Sequence, residues 1–330
     1  MSVLILTESE LRQCAGMDDE ALGAVAQAFT WLAEGKVNMP PIMHVEVADY
    51  RGDVDIKSAY VSGLDHFAVK LASGYFENVK RGLPSSSAMM VLFSADTGFC
   101  AAVLLDNGYL TDLRTGLAGA VAARHLALEK IQTVGVVGVG AQARYQIQSL
   151  KLVRDFQRLL VFGRDPHRRD AYMEDMRKIL GVDVEPVSSI EALVKQSEIV
   201  VTTTPSRQAL IRADWLHPGM HITAMGSDLA GKQELAPEVL TRADLLVCDR
   251  RSQCAVMGEL QHAIAAGLIG EDLEVLELGA VTSGKHPGRS SPKQITLCDL
   301  TGTGVQDTAI AALAYARATA MGLGTEINNS

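Results

Sequence analysis

Two rhythms of apolar and polar positions divide the chain. A helical period runs over Asp18–Leu32 and stops at the turn Met39-Pro40-Pro41. Short strand-like runs follow at Met43–Val47, Asp55–Val61, Phe67–Ser73, Ala88–Ser94 and Cys100–Asp106, separated by turn residues such as Ser62-Gly63, Arg81-Gly82-Leu83-Pro84 and Asp96-Thr97-Gly98. Strand after strand across short turns predicts a mainly antiparallel sheet. A helix is expected from Leu110 to Leu126. From Thr133 the rhythm changes. Short apolar strands at Thr133–Val137, Arg158–Phe162, Glu198–Thr202, His221–Met225, Leu245–Asp249 and Ile295–Asp299 alternate with helical segments. Ser188-Ser189-Ile190-Glu191 carries a capping-box pattern for one of those helices. Strands alternating with helices predict a doubly wound parallel sheet. The Ala-rich helix Val305–Met321 is expected to pack back on the first segment. That gives a discontinuous α+β domain (1–128 and 303–330) around a doubly wound α/β domain (129–302).

Composition narrows the function classes. At about 150 residues per domain, 330 residues agree with two domains. With 30 basic and 39 acidic residues the net charge is −9, so nucleic acid and anionic membrane are excluded as partners. No apolar run reaches the roughly 18 residues of a membrane span, and Val3–Ile5 is too short for a secretory core. The five cysteines are scattered, with no C-x-x-C spacing. They read as free thiols of a cytoplasmic protein, with no metal site. Several Lys and Arg nevertheless sit in apolar or Gly-rich stretches of the first 115 residues, which makes room for a local cationic pocket.

The most specific local signal is Gly138-Val139-Gly140-Ala141-Gln142-Ala143, a G-x-G-x-x-A turn between an apolar strand and a helix expected over Ala141–Val153. Gly138 permits the tight turn, Gly140 lets backbone approach a pyrophosphate, and Ala143 is small enough for helix–strand packing; Ala141 and Gln142 open the helix whose N–H groups face the phosphate. The domain is therefore read as Rossmann-type, binding NAD or NADP, with Thr202 and Gly302 at strand ends as further cofactor positions. The second strand ends in Gly163-Arg164-Asp165 rather than directly in an acid. Arg164 can pair with a 2′-phosphate, which leans to NADP; the alternative is a solvated Arg164 with Asp165 turned to the ribose.

Met39-Pro40-Pro41, Gly82-Leu83-Pro84, Thr97-Gly98, Tyr109-Leu110-Thr111-Asp112-Leu113-Arg114-Thr115, the Gly138 turn, Gly226-Ser227-Asp228 and Gly302-x-Gly304-x-Gln306-Asp307 together resemble the ornithine cyclodeaminase/mu-crystallin family over nearly the whole chain. Leu104–Tyr109 and Glu259-x-x-His262-Ala263-Ile264 look similar to its ectoine-utilisation branch, and the chain is also similar to iminosuccinate reductases. The resemblance implies a homodimer built through the N-terminal sheet and redox work at the Cα–N bond of a small amino acid or imino acid. It places Lys70 near the substrate, Arg114 on its carboxylate, Asp228 at the reacting nitrogen, Asp55 beside the substrate, Thr111 one helical turn before Arg114, and Ser227 with Gly226 on the nicotinamide side.

The chemistry agrees. A guanidinium fork grips a planar carboxylate in bidentate fashion, a lysine adds a point charge, and a carboxylate can exchange a proton with an amine or imine. A desolvated Asp228 would have a raised pKa. Each residue also has a plainer reading: Arg114 as a surface charge, Lys70 snorkelling to an edge, Asp228 capping a helix over Lys232–Glu234, and Glu259 with His262 as structural groups rather than a metal pair.

Two departures from the family pattern matter. His44 stands where the family usually has an arginine clamp after the proline turn, and a neutral imidazole does not replace a guanidinium. Lys57 stands where many members carry Met. Lys57 and Asp55 share a strand face, so a pocket of His44, Lys57, Lys70 and Arg114 would suit an anionic amino acid and disfavour ornithine, whose far amine would meet Lys57. The expected activity is NAD(P)-dependent chemistry of the cyclodeaminase or imine-reductase kind in ectoine or hydroxyectoine breakdown. The alternative is a non-catalytic, mu-crystallin-like binder of NADP or another ligand.

Overall fold

The computed structural model describes residues 2–270 and 275–328. Its elements run β1 (Ser2–Thr7), α1 (Glu8–Cys14), α2 (Asp19–Ala33), β2 (Val37–Asn38), β3 (Met43–Val47), β4 (Gly52–Val61), β5 (His66–Tyr75), β6 (Ser86–Ser94), β7 (Cys100–Leu105) and α3 (Tyr109–Leu126). Then come β8 (Thr133–Val137), α4 (Ala141–Leu150), β9 (Arg158–Phe162), α5 (Pro166–Leu180), β10 (Asp183–Pro186), α6 (Ile190–Gln196), β11 (Ile199–Thr202), β12 (Arg207–Ile211), β13 (His221–Ala224) and β14 (Gln233–Leu235). The chain continues through α7 (Pro237–Arg242), β15 (Leu245–Cys248), α8 (Arg251–Met257), α9 (Leu260–Ala265), β16 (Leu276–Glu277), α10 (Leu278–Thr282), β17 (Thr296–Asp299), α11 (Gly304–Met321) and β18 (Thr325–Asn328). It divides into two compact units, 1–114 with 303–330, and 115–302. The first division falls inside α3, after Arg114, rather than at residue 128.

The first unit is built on a sheet of order β18-β1-β7-β6-β5-β4-β2, with β3 also on β4. It is antiparallel except for the β1–β7 pair. Side chains alternate across it. On one face Ala59, Val61, Ala68, Met90, Leu92, Ala102 and Leu104 are buried, and Lys57 and Lys70 are buried among them. On the other, Ile56, Val69, Leu71, Met89, Val91 and Val103 are only partly covered. Helix α11 packs on β4 and β5 through Val305 and Ala309, which cluster with Ala28, Ala59 and Val61.

The second unit is a fully parallel sheet of order β10-β9-β8-β11-β13-β17-β15-β16. Its central strands are mostly apolar because both faces are covered: Val134, Val136, Leu159 and Ile199 pack into one core cluster, and Val200, Ile222, Leu246 and Leu297 into the other. The chain reverses direction of growth beside β8, between β9 and β11, which is where ligands bind in sheets of this kind. Helix α4 ends at Leu150, short of the expected Val153, and the residue capping α6 is Ser189, whose side chain accepts from Ala192 N.

No helix among the described residues is long and apolar enough to cross a membrane. No group of His, Cys, Asp and Glu among them could hold a metal ion.

Candidate active site

The charged cluster of the first unit follows from register. Lys57 on β4 stands directly opposite Lys70 on β5, so both side chains leave the sheet on the helix-covered face. Lys70 is 2% exposed and Arg114, in the second turn of α3, is 4% exposed. Both meet one carboxylate, that of Asp307 on α11. Asp307 Oδ1 accepts from Lys70 Nζ at 3.1 Å and from Arg114 Nε at 2.9 Å, and Oδ2 lies 2.9 Å from Lys70 Nζ. Burial pushes the Lys70 ammonium down to about 7, Arg114 and Lys57 push the same way, and Asp307 opposes them. Burial alone would raise the Asp307 carboxyl, yet Arg114 and Lys70 hold it below the ordinary carboxylate value. Arg114 is anchored to Asp307 through Nε, so its terminal fork retains bidentate capacity for a ligand. One turn earlier, Thr111 Oγ1 is buried without a hydrogen-bond partner.

Asp106, just before α3, is fully buried. One oxygen accepts from Leu110 N at 2.8 Å, the other has no hydrogen-bond partner, and burial raises its pKa to about 6.

His44 is paired with Asp55. Its Nδ1 lies 2.7 Å from Asp55 Oδ1, because the two residues are direct cross-strand partners on β3 and β4. That bond raises the His44 pKa. His44 and Asp55 are thus a mutually satisfied pair.

In the second unit, Gly138 closes β8 with φ of +114°, and a Cβ there would lie 2.5 Å from Thr203 Oγ1. Only glycine is tolerated at that corner. Gly140 is the N-cap of α4 and no side chain caps the helix, an arrangement that suits a phosphate at the helix N-terminus. Nothing lies within 4 Å of where a Gly140 Cβ would stand. Arg144 Nη1 donates to Val139 O at 3.1 Å and Gly140 O at 3.3 Å, holding the loop. Ala143 is fully buried against the sheet. These features fit a dinucleotide pyrophosphate. At the end of β9, Asp165 caps α5 by accepting from His167 N at 2.9 Å and Arg168 N at 3.2 Å, while Arg164 is exposed. The carboxylate expected as a possible ribose ligand is occupied as a cap.

Other strand-end residues do work different from that expected. Thr202 is buried and its hydroxyl donates to Glu234 Oε2 at 2.6 Å. Glu234 also accepts from Thr204 N at 2.5 Å and Gly226 N at 2.8 Å. Ser227 Oγ donates to Lys232 O at 2.8 Å, so its hydroxyl hydrogen is engaged within the loop. Gly302 N donates to Asp249 Oδ2 at 2.7 Å. Asp228 is neither desolvated nor a helix cap: its side chain is half exposed and 2.6 Å from Lys232 Nζ, and residues Gln233–Leu235 form β14. Glu259 accepts from Glu234 N at 2.7 Å and Leu235 N at 3.0 Å, and His262 Nε2 donates to Lys232 O at 2.6 Å. That pair is structural. The residues that sequence reasoning missed are Asp307 and Glu234. Asp307 lies inside the quoted Gly302–Asp307 stretch, so a signal existed; Glu234 had none.

A parallel sheet with this glycine corner at its switch point places the chain in the class of dinucleotide-binding α/β proteins. The family model for the ornithine cyclodeaminase/mu-crystallin family matches residues 1–322, and the chain belongs to that family. A Rhizobium meliloti protein that carries only a provisional dehydrogenase name is 48% identical, over 97% of each chain. A solved archaeal alanine dehydrogenase dimer with bound NAD is 34% identical with a TM-score of 0.92, each chain covered to 100%. The iminosuccinate reductase of Paracoccus denitrificans, solved with NAD+, is 30% identical with a TM-score of 0.91, covering 99% of this chain and 100% of its own.

Proposed function

We propose that this protein catalyses hydride transfer between NAD(P) and the Cα of a small anionic amino acid, working as an imine or amino-acid reductase. Relatives that are NAD-dependent dehydrogenases and reductases support an enzyme of this kind. The observation that carries the substrate reading is the buried cluster in which Lys70 and Arg114 share the single carboxylate of Asp307. Two buried cations on one anion leave positive charge for a ligand to neutralise. Lys57, buried opposite Lys70, adds to that field.

The nicotinamide, when bound, supplies or accepts the hydride. The chain's own residues do the rest. The Arg114 fork and Lys70 ammonium hold the α-carboxylate, and Thr111 Oγ1 offers a further hydrogen bond. Asp228 exchanges the proton at the substrate nitrogen, which requires it to leave Lys232. In the reductive direction one C=N bond becomes C–N as carbon gains hydride and nitrogen gains the proton. A diamino acid is disfavoured because its second ammonium would meet Lys57. An imino acid with a second carboxylate would instead gain from it.

The exposed Arg164, beside an Asp165 committed to capping, favours NADP through its 2′-phosphate. The partly covered apolar face of the first sheet, opposite the lysines, is read as a homodimer surface; the archaeal alanine dehydrogenase is a dimer. The assignment to ectoine breakdown has no support in geometry. Asn107 supplies a left-handed turn at φ of +51°, and Glu259 and His262 fasten the 232–235 segment, so both stretches that suggested it have structural jobs.

The test is steady-state oxidation of NADH and NADPH with a panel of 2-oxo acids plus ammonia, including a dicarboxylate, alongside assay of ammonia release from diamino acids. Stoichiometric oxidation with an anionic imino acid is expected. Ammonia release without net cofactor oxidation would move the assignment to cyclodeaminase, and no turnover at all would favour a binding protein.

A further inference from the structure

The carboxylate at the centre of the cation cluster belongs to a residue that the sequence did not assign and the proposed chemistry does not consume. Its placement is unusually well fixed. Thr303 and Gln306 form a capping box at the start of α11. Gly304 sits against β4 so closely that a Cβ would lie 2.6 Å from Ser58 O. Thr308 Oγ1 donates to Ala59 O at 2.7 Å and accepts from Ala68 N at 3.0 Å, stitching the helix to both strands that carry the lysines. Asp307 lies between these fastenings, in the first turns of α11, where the helix dipole also favours an anion. It is fully buried.

We propose that Asp307 is the positioning residue of the substrate site, holding Lys70 Nζ and Arg114 Nε on one carboxylate so that the outer faces of both cations are presented together to an anionic ligand. This inference rests on the reading of Lys70 and Arg114 as carboxylate binders. Four charged groups bear on Lys70: Asp307 from α11, Arg114 from α3, Lys57 from β4 and Asp106 from the turn before α3. Without Asp307, Lys70 would face two cations with Asp106 alone to oppose them. It would then shed its proton at lower pH, and Arg114 would lose the contact that orients its guanidinium plane.

The experiment uses the full chain with Asp307→Asn, Asp307→Glu, Lys70→Met and the Lys70→Met/Asp307→Asn pair. NADH binding followed by fluorescence, and circular dichroism, report the fold. Asp307→Asn is expected to bind NADH within about twofold of the parent, to lose roughly 10²-fold in kcat with a smaller change in KM, and to move the high-pH limb of kcat/KM to lower pH. Asp307→Glu keeps the charge and should restore the limb, while its extra methylene leaves kcat depressed. The double variant should lose clearly less than the product of the two single fold-losses, because Asp307 acts in part through that lysine, the remaining loss reporting its hold on Arg114. The proposal is overturned by a folded Asp307→Asn with parental kcat and an unmoved limb. It is also overturned by equal losses in Asn and Glu variants with no pH shift, which marks a merely structural role, or by additive losses in the double variant.

If no imino acid is turned over by the parent protein, the functional reading fails on its own. The inference is then judged by the 13C titration of the Lys70 side chain, whose midpoint must fall in Asp307→Asn. If Asp307→Asn does not fold, Asp307→Glu and the charge-deleted pair decide.

Discussion

The two units bury charge in opposite ways. In the first, Lys70 and Arg114 lie on Asp307, with cations outnumbering the carboxylate that both touch. In the second, Glu234, Glu259, Asp249 and Asp299 are buried carboxylates whose recorded partners are backbone N–H groups and hydroxyl or thiol side chains. The difference teaches how to tell a binding charge from a structural one. Glu234 and Glu259 have spent their acceptor capacity on Thr202, Thr204, Gly226, Glu234 and Leu235; they staple the loops that leave the strand ends. The first unit's cations have hydrogen-bonding capacity and charge left over. Buried charge alone would have scored both regions as sites.

The comparison can be broken at several points. The largest effect is expected at Arg114→Lys, which keeps the charge and loses the fork: kcat/KM for an anionic substrate should fall about 10³-fold, roughly 4 kcal/mol, with NADH affinity retained. Parental kinetics would remove Arg114 from the site. Next is Glu234→Gln, which turns an acceptor-only group into one with donors facing Thr204 N and Gly226 N. A loss of about 3 kcal/mol in urea unfolding is expected, and a stability within error of the parent would show that the staple is dispensable. Gly304→Ala forces a methyl against Ser58 O and should cost about 2 kcal/mol by thermal denaturation; an unchanged Tm would mean α11 can retreat freely.

The effect that is smallest at any one step is a slope in pH. Burial raises the Asp299 carboxyl to about 7, and one of its oxygens has no hydrogen-bond partner. A folded pKa above the unfolded value means the native state binds the proton more tightly. This residue therefore favours folding below about pH 4, and its contribution is lost as pH rises from about 4 to 7, with a slope of at most about 1.4 kcal/mol per pH unit. Asp299→Asn should flatten stability across that window, and an unaltered slope would assign it to another group.

What the sequence shows and hides follows from the range of the forces. The Gly138 corner is legible because a positive φ at the end of a strand is a local demand that glycine meets, and the motif that carries it is contiguous. The burial of Lys57 on the face of Asp55 was legible from the period of two in a strand. Strands β1 and β18 were not foreseen: each is short, and β1 gains its place by pairing with β7 across about a hundred residues, which no local pattern encodes. Asp307 is not assignable from its motif alone, because 237 residues separate it from Lys70. Thr202 was assigned by its place at a strand tip, and Glu234, 32 residues on, claims its hydroxyl instead. Half-exposed Asp228 shows the same limit, since Lys232 reaches it only once the loop is folded.

The surplus positive charge beside Asp307 has a practical consequence for anyone handling the protein. If Lys70 and Arg114 bind the substrate carboxylate as proposed, the same cations also take up small anions from the medium, whatever their metabolic origin. Acetate, sulfate or phosphate in a storage buffer would then behave as weak competitive ligands. At a hundred times its dissociation constant such an ion adds about 2.7 kcal/mol of apparent stability. Melting curves and inhibition constants measured in two buffers would differ for this reason alone, and the rank order of buffer anions would be the first chemical portrait of the natural substrate.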